Sequence, residues 1–307
     1  MSGRPPFWYR RGVAEASAFD PQQALLDWYA REQRDLPWRR EPSPYRVLVS
    51  ELMLQQTQVD RVIPYFERFL DRFPTLEALA GATRASVIEA WGGLGYNRRA
   101  VYLHRLAQAV CERYLGILPR DRKALLALPG IGPYTAGAIL SIGFGEDASA
   151  IDTNVQRVLS RYHGRPGPSP SELDALARSL VPPGGAGDWN QALMDLGAAV
   201  CRARAPRCLQ CPLRAGCRGA SDPAIAPKRR QGRFEESTRY YRGRLVAALR
   251  SLAPSQTEAL SGTVRRLTDL GIAEPATGWE TVAKALARDG LAEIQDSPDG
   301  PTIRLPT

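Results

Sequence analysis

Apolar residues recur at helical spacing through most of the chain, and strand-like alternation is almost absent before residue 240. Residues 22–34 carry Leu25, Leu26 and Trp28 on one face, and Leu36-Pro37-Trp38-Arg39 ends that run. Ser43-Pro44 is a helix start, and residues 45–59 form a strongly helical stretch. The pattern continues over 65–73 and 86–91, where Gly92-Gly93-Leu94-Gly95 breaks it, and over the amphipathic run 99–115. Residues 123–159 read as a helix, a hairpin at Leu128-Pro129-Gly130-Ile131-Gly132, a second helix and a third opened by Asp152. Loops rich in Pro, Gly and Ser follow at 166–171 and 182–187, and the last helical run of this part is 189–201.

Composition changes after this point. Residues 218–236 are polar and basic with scattered prolines, as in a linker. Beyond them, 240–252, 258–270 and 279–288 have helical periodicity, while 291–295 and 302–305 alternate on either side of a turn containing Asp299-Gly300. Three helices followed by a hairpin is the order of a winged-helix module. The pattern predicts a mostly α protein with a small α/β winged-helix-like module at 237–307, preceded by a linker at 221–236. Residues 1–20 form a basic N-terminal arm.

With 307 residues the chain can bury a substantial core. No apolar run approaches membrane-spanning length, and the start lacks a signal-peptide segment, so a cytoplasmic, nucleoid-associated location without membrane contact is expected. Net charge is +9, and only Lys123, Lys228 and Lys284 among the 41 basic residues are lysines. A basic surface fits a polyanion, and nucleic acid is the commonest one.

Within the hairpin, Gly130 and Gly132 permit a turn with φ > 0 and close approach of a ligand to bare backbone. With Thr135 they offer N–H groups at a helix start, the usual place for a phosphate, although αα-hairpins also use glycine for packing alone. Asp152 precedes Val155, Val158, Leu159 and Tyr162 on one helical face, which reads first as an N-cap. Four cysteines follow the spacing Cys201-x6-Cys208-x2-Cys211-x5-Cys217. In a cytosolic chain that cluster is a metal site, and thiolates alone do not separate zinc from an iron–sulfur group. Cys111 stands apart beside Val110 and reads as a core residue.

Together these features resemble the helix-hairpin-helix DNA glycosylases of the endonuclease III superfamily, and more finely the MutY-type adenine DNA glycosylases. The resemblance is carried by Leu36-Pro-Trp-Arg39, Ser50-Glu-Leu-Met-Leu-Gln-Gln-Thr-Gln-Val59, Gly93-Leu-Gly-Tyr96, Leu128-Pro-Gly-Ile-Gly-Pro-Tyr-Thr-Ala-Gly137 and Asn190-Gln-Ala-Leu-Met-Asp-Leu-Gly197. It implies a six-helix barrel with helix-hairpin-helix over 43–148 and a 4Fe–4S cluster domain over 21–42 and 149–220, held by Cys201, Cys208, Cys211 and Cys217. It also implies a monomeric enzyme of base excision repair, acting on double-stranded DNA with a mispair or an oxidised guanine. The implied reaction flips and excises adenine opposite 8-oxoguanine or guanine.

Glu51 shares a helical face with Val47, Leu48 and Leu54, and apolar neighbours raise a carboxyl's pKa, so the residue fits the general acid that protonates adenine at N7. Asp152 would face the sugar of an oxocarbenium-like transition state, with Asn154 orienting its carboxylate or a water. Tyr134 occupies the position where bifunctional members carry a Schiff-base lysine, which implies base removal without efficient strand cleavage. Gln55 and Gln56 would wedge into the duplex, Tyr96 would stack beside the opposite guanine, and Arg39 and Asp195 would contact the flipped adenine.

The chain departs from the family pattern at Thr153, at Asn97 and in its C-terminal region, which is too short for a Nudix-like lesion-reading domain. Arg239, Arg242, Arg244, Arg265 and Arg266 read either as phosphate contacts or as a solvated basic face, and the module is expected to add mainly non-specific affinity. A thymine glycosylase acting on G:T mismatches shares this core, and a non-catalytic, redox-sensing DNA-binding protein is a third reading.

Overall fold

The computed structural model describes residues 19–165, 168–219, 234–235, 237–253 and 255–307. Residues 1–18 of the expected arm, and 221–233 and 236 of the expected linker, lie outside the described residues. The chain is mostly helical, and its punctuation comes from caps and prolines that the sequence displays. In order the helices are α1 Pro21–Glu32, α2 Pro37–Arg40, α3 Pro44–Leu54, α4 Val59–Arg72, α5 Leu76–Ala80, α6 Arg84–Trp91 and α7 Arg98–Tyr114. Then come α8 Arg122–Leu126, α9 Pro133–Ala138, α10 Thr153–Tyr162, α11 Pro170–Ser179 and α12 Ala186–Ala199. The C-terminal region holds α13 Thr238–Arg250, β1 Glu258–Ala259, α14 Leu260–Asp269, α15 Trp279–Arg288, β2 Glu293–Gln295 and β3 Thr302–Arg304. Side-chain oxygens of Asp20, Thr75, Thr83, Asp121, Asp152 and Ser237 cap the helices that follow them, and Ser169 with Glu172 forms a capping box. Among the described residues, no helix is long and apolar enough to cross a membrane.

Two compact units make up the chain. The first comprises residues 1–48, 120–127 and 131–229. Its core gathers Leu25 and Tyr29 of α1, Val155 and Leu159 of α10, Leu173 and Leu176 of α11, and Trp189 and Leu196 of α12. Helix α12 runs through the centre, packed against both α1 and α10. After α9 the chain continues as a π-helical turn, Ile139–Gly143, which the sequence pattern did not separate from the helix.

The second unit comprises residues 49–119, 128–130 and 230–307. Phe69 of α4 stacks edge-on against Phe73 and Trp91, with ring centroids 5.0 and 6.0 Å away. The C-terminal module belongs to this unit and shares its core: Ile88 of α6 and Val101 of α7 join Leu245, Leu249, Trp279, Leu286 and Ile303 in one buried cluster. Its strands form an antiparallel sheet in the order β1-β3-β2, pairing Glu258 with Ile303 and Ile294 with Ile303. Helix, strand, two helices and a hairpin is the winged-helix order.

Two expectations change here. Residues 258–259 begin no helix; they pair with β3, and the amide of Leu260 donates to the carbonyl of Pro301 at 2.8 Å. A two-residue strand is too short to show a period of its own. The module's arginines are also less available than expected: Arg242 pairs with Asp289, Arg266 with Glu258, and Arg239 with the Tyr96 hydroxyl, leaving Arg244 and Arg265 exposed.

Candidate active site and cysteine centre

Glu51 lies one turn beyond Val47 and Leu48 on α3 and is only 7 % exposed. Placing a carboxyl there requires the end of α3 to be held firmly, because the last carbonyls of a helix have no intrahelical partner. Arg99, at the start of α7 and itself 6 % exposed, supplies the missing donors. Its Nη1 donates to the carbonyls of Leu52, Met53 and Gln55 at 2.8, 2.8 and 2.5 Å. Its Nη2 donates to Thr57 Oγ1 and to the Gly95 carbonyl at 3.1 and 3.0 Å, and its Nε to the Tyr96 carbonyl at 3.3 Å. The guanidinium also lies 5.3 Å from the Trp91 ring and 5.4 Å from the Tyr96 ring. Burial pulls its pKa down to about 10, so it remains a cation at neutral pH. The sequence reading missed this residue, although an arginine on the apolar face of a helix, just past Gly-x-Gly-Tyr, is a visible signal.

Where α3 ends, Gln55 is half-buried, and Gln56 is exposed in the left-handed region at φ 58°. Tyr96 is half-buried and left-handed too, at φ 48°. Such backbone is rare outside glycine, and Arg99 braces both turns that contain it.

In the first unit Asp152 caps α10: its Oδ1 accepts from the amides of Asn154 and Val155 at 2.8 and 2.7 Å. Its Oδ2 accepts from Asn154 Nδ2 at 2.7 Å, so Asn154 orients this carboxylate directly. The chain of contacts goes on. Asn154 Oδ1 accepts from Arg157 Nη2 at 2.7 Å, and Arg157 also donates to the carbonyls of Gly197 and Cys201, each at 2.7 Å. Gly197 allows α12 to come this close, since a Cβ there would meet Asn154 Cβ at 2.5 Å. Tyr134 is half-buried on α9, with its hydroxyl 3.7 Å from Met194 Sδ.

Arg39 and Asp195, each expected to contact the flipped adenine, are tightly paired with one another. Arg39 forms a two-pronged pair with the Asp195 carboxylate at 2.7 and 3.0 Å, and Arg34 Nε adds a bond at 2.9 Å. Burial alone would raise the Asp195 pKa, but the hydrogen bonds and charges of Arg39 and Arg34 outweigh it and hold the carboxyl below its usual range. The carboxylate is therefore committed to fixing Arg39, whose side chain is 10 % exposed.

At the hairpin, Gly130 takes φ 80°, and a Cβ there would sit 3.0 Å from Tyr102 Cβ. Gly132 differs from expectation. Its φ of −102° is extended backbone open to any residue, and its bare α-carbon faces open space. Thr135, in the first turn of α9, is only 2 % exposed, so its side chain packs inward and only its backbone N–H could serve a phosphate.

Cys201, Cys208, Cys211 and Cys217 line a single cavity together with Val158, Leu196 and Leu213. Arg161 closes one side. Its Nη1 lies 3.5 Å from Cys201 Sγ, and its carbonyl lies 3.6 Å from Cys217 Sγ. Burial pushes the Cys211 thiol up to about 11 and raises Cys217 as well, so a bound cation is what would favour the thiolates. Among the described residues no three His, Cys, Asp or Glu side chains converge as they would around a single ion. Four cysteines lining one cavity are a fitting donor set for a thiolate-held metal or iron–sulfur group. Cys111 is half-buried on α7 and is not part of this lining.

Residues 49–183 match the model of the HhH-GPD superfamily of base excision DNA repair proteins. The chain is 42 % identical over 275 residues to the adenine DNA glycosylase of Mycolicibacterium smegmatis, spanning 88 % of this chain and 91 % of that protein. The chain belongs to the adenine DNA glycosylase family. Among solved structures it resembles a thermostable thymine-DNA glycosylase, with TM-score 0.61 and 33 % identity over 64 % of this chain and 93 % of that one. It also resembles endonuclease III in a non-covalent complex with DNA, with TM-score 0.56 and 26 % identity over 66 % and 96 % of the two chains.

Proposed function

We propose that the protein excises adenine mispaired with 8-oxoguanine or guanine in double-stranded DNA, by hydrolysis and without efficient strand cleavage. The observation that carries this reading is the 42 % identity to an adenine DNA glycosylase along nearly the whole of that relative. Glu51, buried on α3, donates a proton to N7 of the flipped base, so the N-glycosidic bond breaks with adenine leaving as a neutral molecule. Asp152, its carboxylate fixed by Asn154, offers negative charge to the sugar cation, and water then adds at C1′. Tyr134 cannot form an imine, so water completes the reaction. Arg39, fixed by Asp195, faces the base, Gln55 and Gln56 fill the gap it leaves, and Tyr96 stacks beside the opposite guanine. Phosphates of the backbone meet the N–H groups around Gly130 and Gly132.

The four cysteines would hold a 4Fe–4S cluster, which would fasten residues 201 to 217 around one centre. The protein works as a monomer, with residues 43–148 as the barrel, 21–42 and 149–220 as the cluster domain and 237–307 as the winged-helix-like module.

A panel of duplexes with adenine opposite 8-oxoguanine, guanine, cytosine or thymine, and with thymine opposite guanine, tests the reading under single-turnover conditions. Release of free adenine with uncut strands until alkali is added is the expected result. Preferential release of thymine from G:T would instead place the chain with the thymine-specific members of the fold.

A further inference from the structure

In the second unit a groove of about 610 Å³ is lined by Gln56, Gln58, Asn97, Phe234, Tyr96 and Arg239, among others. Its size suits a single small ligand. Its lining combines aromatic rings, side-chain amides and guanidinium, the set that proteins use to stack and hydrogen-bond a nucleobase outside a helix. The module contributes one wall. Arg239, in the first turn of α13, donates to the Tyr96 hydroxyl, and its guanidinium lies 5.2 Å from the Tyr96 ring and 5.1 Å from the Phe234 ring. Arg99 anchors Tyr96 as well: its Nε donates to the Tyr96 carbonyl, and its guanidinium lies 5.4 Å from the ring. The second module arginine in the groove, Arg242, is neutralised by Asp289, and Arg61 donates to the Gly93 carbonyl.

We infer that Arg239 is a specificity-determining residue, carried by the C-terminal module to Tyr96 so that its guanidinium recognises the paired O6 and N7 acceptors of a guanine opposite the adenine. This rests on the reading of Tyr96 given under the proposed function. A guanine presents O6 and N7 as a pair of acceptors, which a guanidinium fork matches. Adjacent stacking on Tyr96 would hold the base in plane with that fork. The module then has a task beyond the non-specific affinity expected from its arginines.

The test is the ratio of single-turnover excision rates for adenine opposite guanine and adenine opposite 2-aminopurine, which lacks O6. It is measured in the full chain for wild type, Arg239→Ala and Arg239→Lys. A ratio is independent of the active fraction, so partial misfolding of a variant cannot mimic the effect. The ratio should fall about tenfold in Arg239→Ala, and Arg239→Lys, which keeps the charge but not the fork, should recover only part of it. An unchanged ratio with equal slowing on both duplexes would overturn the inference and leave Arg239 as a phosphate or structural contact. Failure of the underlying reading would look different: wild type itself would release no adenine from either duplex.

Discussion

Replacing Arg99 by Met keeps the volume of the side chain and removes every donor, which isolates what the buried guanidinium does for α3. The three charge-assisted bonds to the carbonyls of Leu52, Met53 and Gln55, each worth roughly 2 kcal/mol, set a lower bound on the loss, since the bonds to Thr57, Gly95 and Tyr96 go as well. Against this stands the cost of burying the charge. The fall of its pKa to about 10 puts that cost at roughly 3 kcal/mol. The difference is a loss of at least about 3 kcal/mol, or about 8 °C in melting temperature for a unit of this size. Thermal denaturation followed by circular dichroism reads it directly. Excision should suffer as well, because Glu51 lies one residue before the first of those carbonyls. Arg99→Lys should recover less than half the stability, since an ammonium cannot reach carbonyls on both turns at once. A melting temperature within 2 °C of wild type together with unchanged excision would refute the claim that Arg99 holds the catalytic helix.

Iron analysis of anaerobically purified protein should give about four irons per chain, unchanged in Cys111→Ser and lost in Cys208→Ser; stoichiometric zinc without iron would overturn the cluster assignment. Arg157→Met should slow excision about tenfold or more while leaving duplex binding near wild type, because it removes the support of Asn154 and through it of Asp152; an unchanged rate constant would show that the network is idle. Burial, with Arg218 and Arg165 adding repulsion, pulls His163 down to about 4. The unfolded chain therefore takes up this proton near pH 6.5 and the folded one only near pH 4, so stability present above pH 6.5 is lost as pH falls towards 4, by up to roughly 3 kcal/mol. His163→Gln should flatten that part of the pH–stability curve, and an unaltered slope would count against it. Deleting residues 237–307 should lower the stability of the remaining chain, because Ile88 and Val101 lose the core they share with the module; an unaffected melting temperature would show the module to be an independent appendage.

What could be read from the sequence were the features with local causes. Asp152 as an N-cap follows from a short acceptor side chain before an apolar face, and the four cysteines around one cavity follow from their spacing. The burial of Glu51 follows from its position a turn beyond Val47 and Leu48. Features that depend on residues far apart stayed hidden. The helix-end partners of Arg99, the carbonyls of Leu52, Met53 and Gln55, lie more than forty residues earlier in the chain, and nothing near Arg99 names them. The strand at 258–259 exists only because β3 returns to it, and Arg239 meets Tyr96 across more than 140 residues. Gly132 shows the opposite error: a glycine in a motif suggested special backbone, and the structure gives it ordinary extended geometry.

The central claim is that Glu51 delivers the proton that releases adenine. Single-turnover excision from a duplex with adenine opposite 8-oxoguanine, compared between wild type and Glu51→Gln at saturating enzyme, tests it most directly. The account predicts that Glu51→Gln binds the duplex as tightly as wild type and excises adenine at least about a thousandfold more slowly, as when an essential acid is removed. A rate constant within tenfold of wild type would contradict it and require another group to protonate the base.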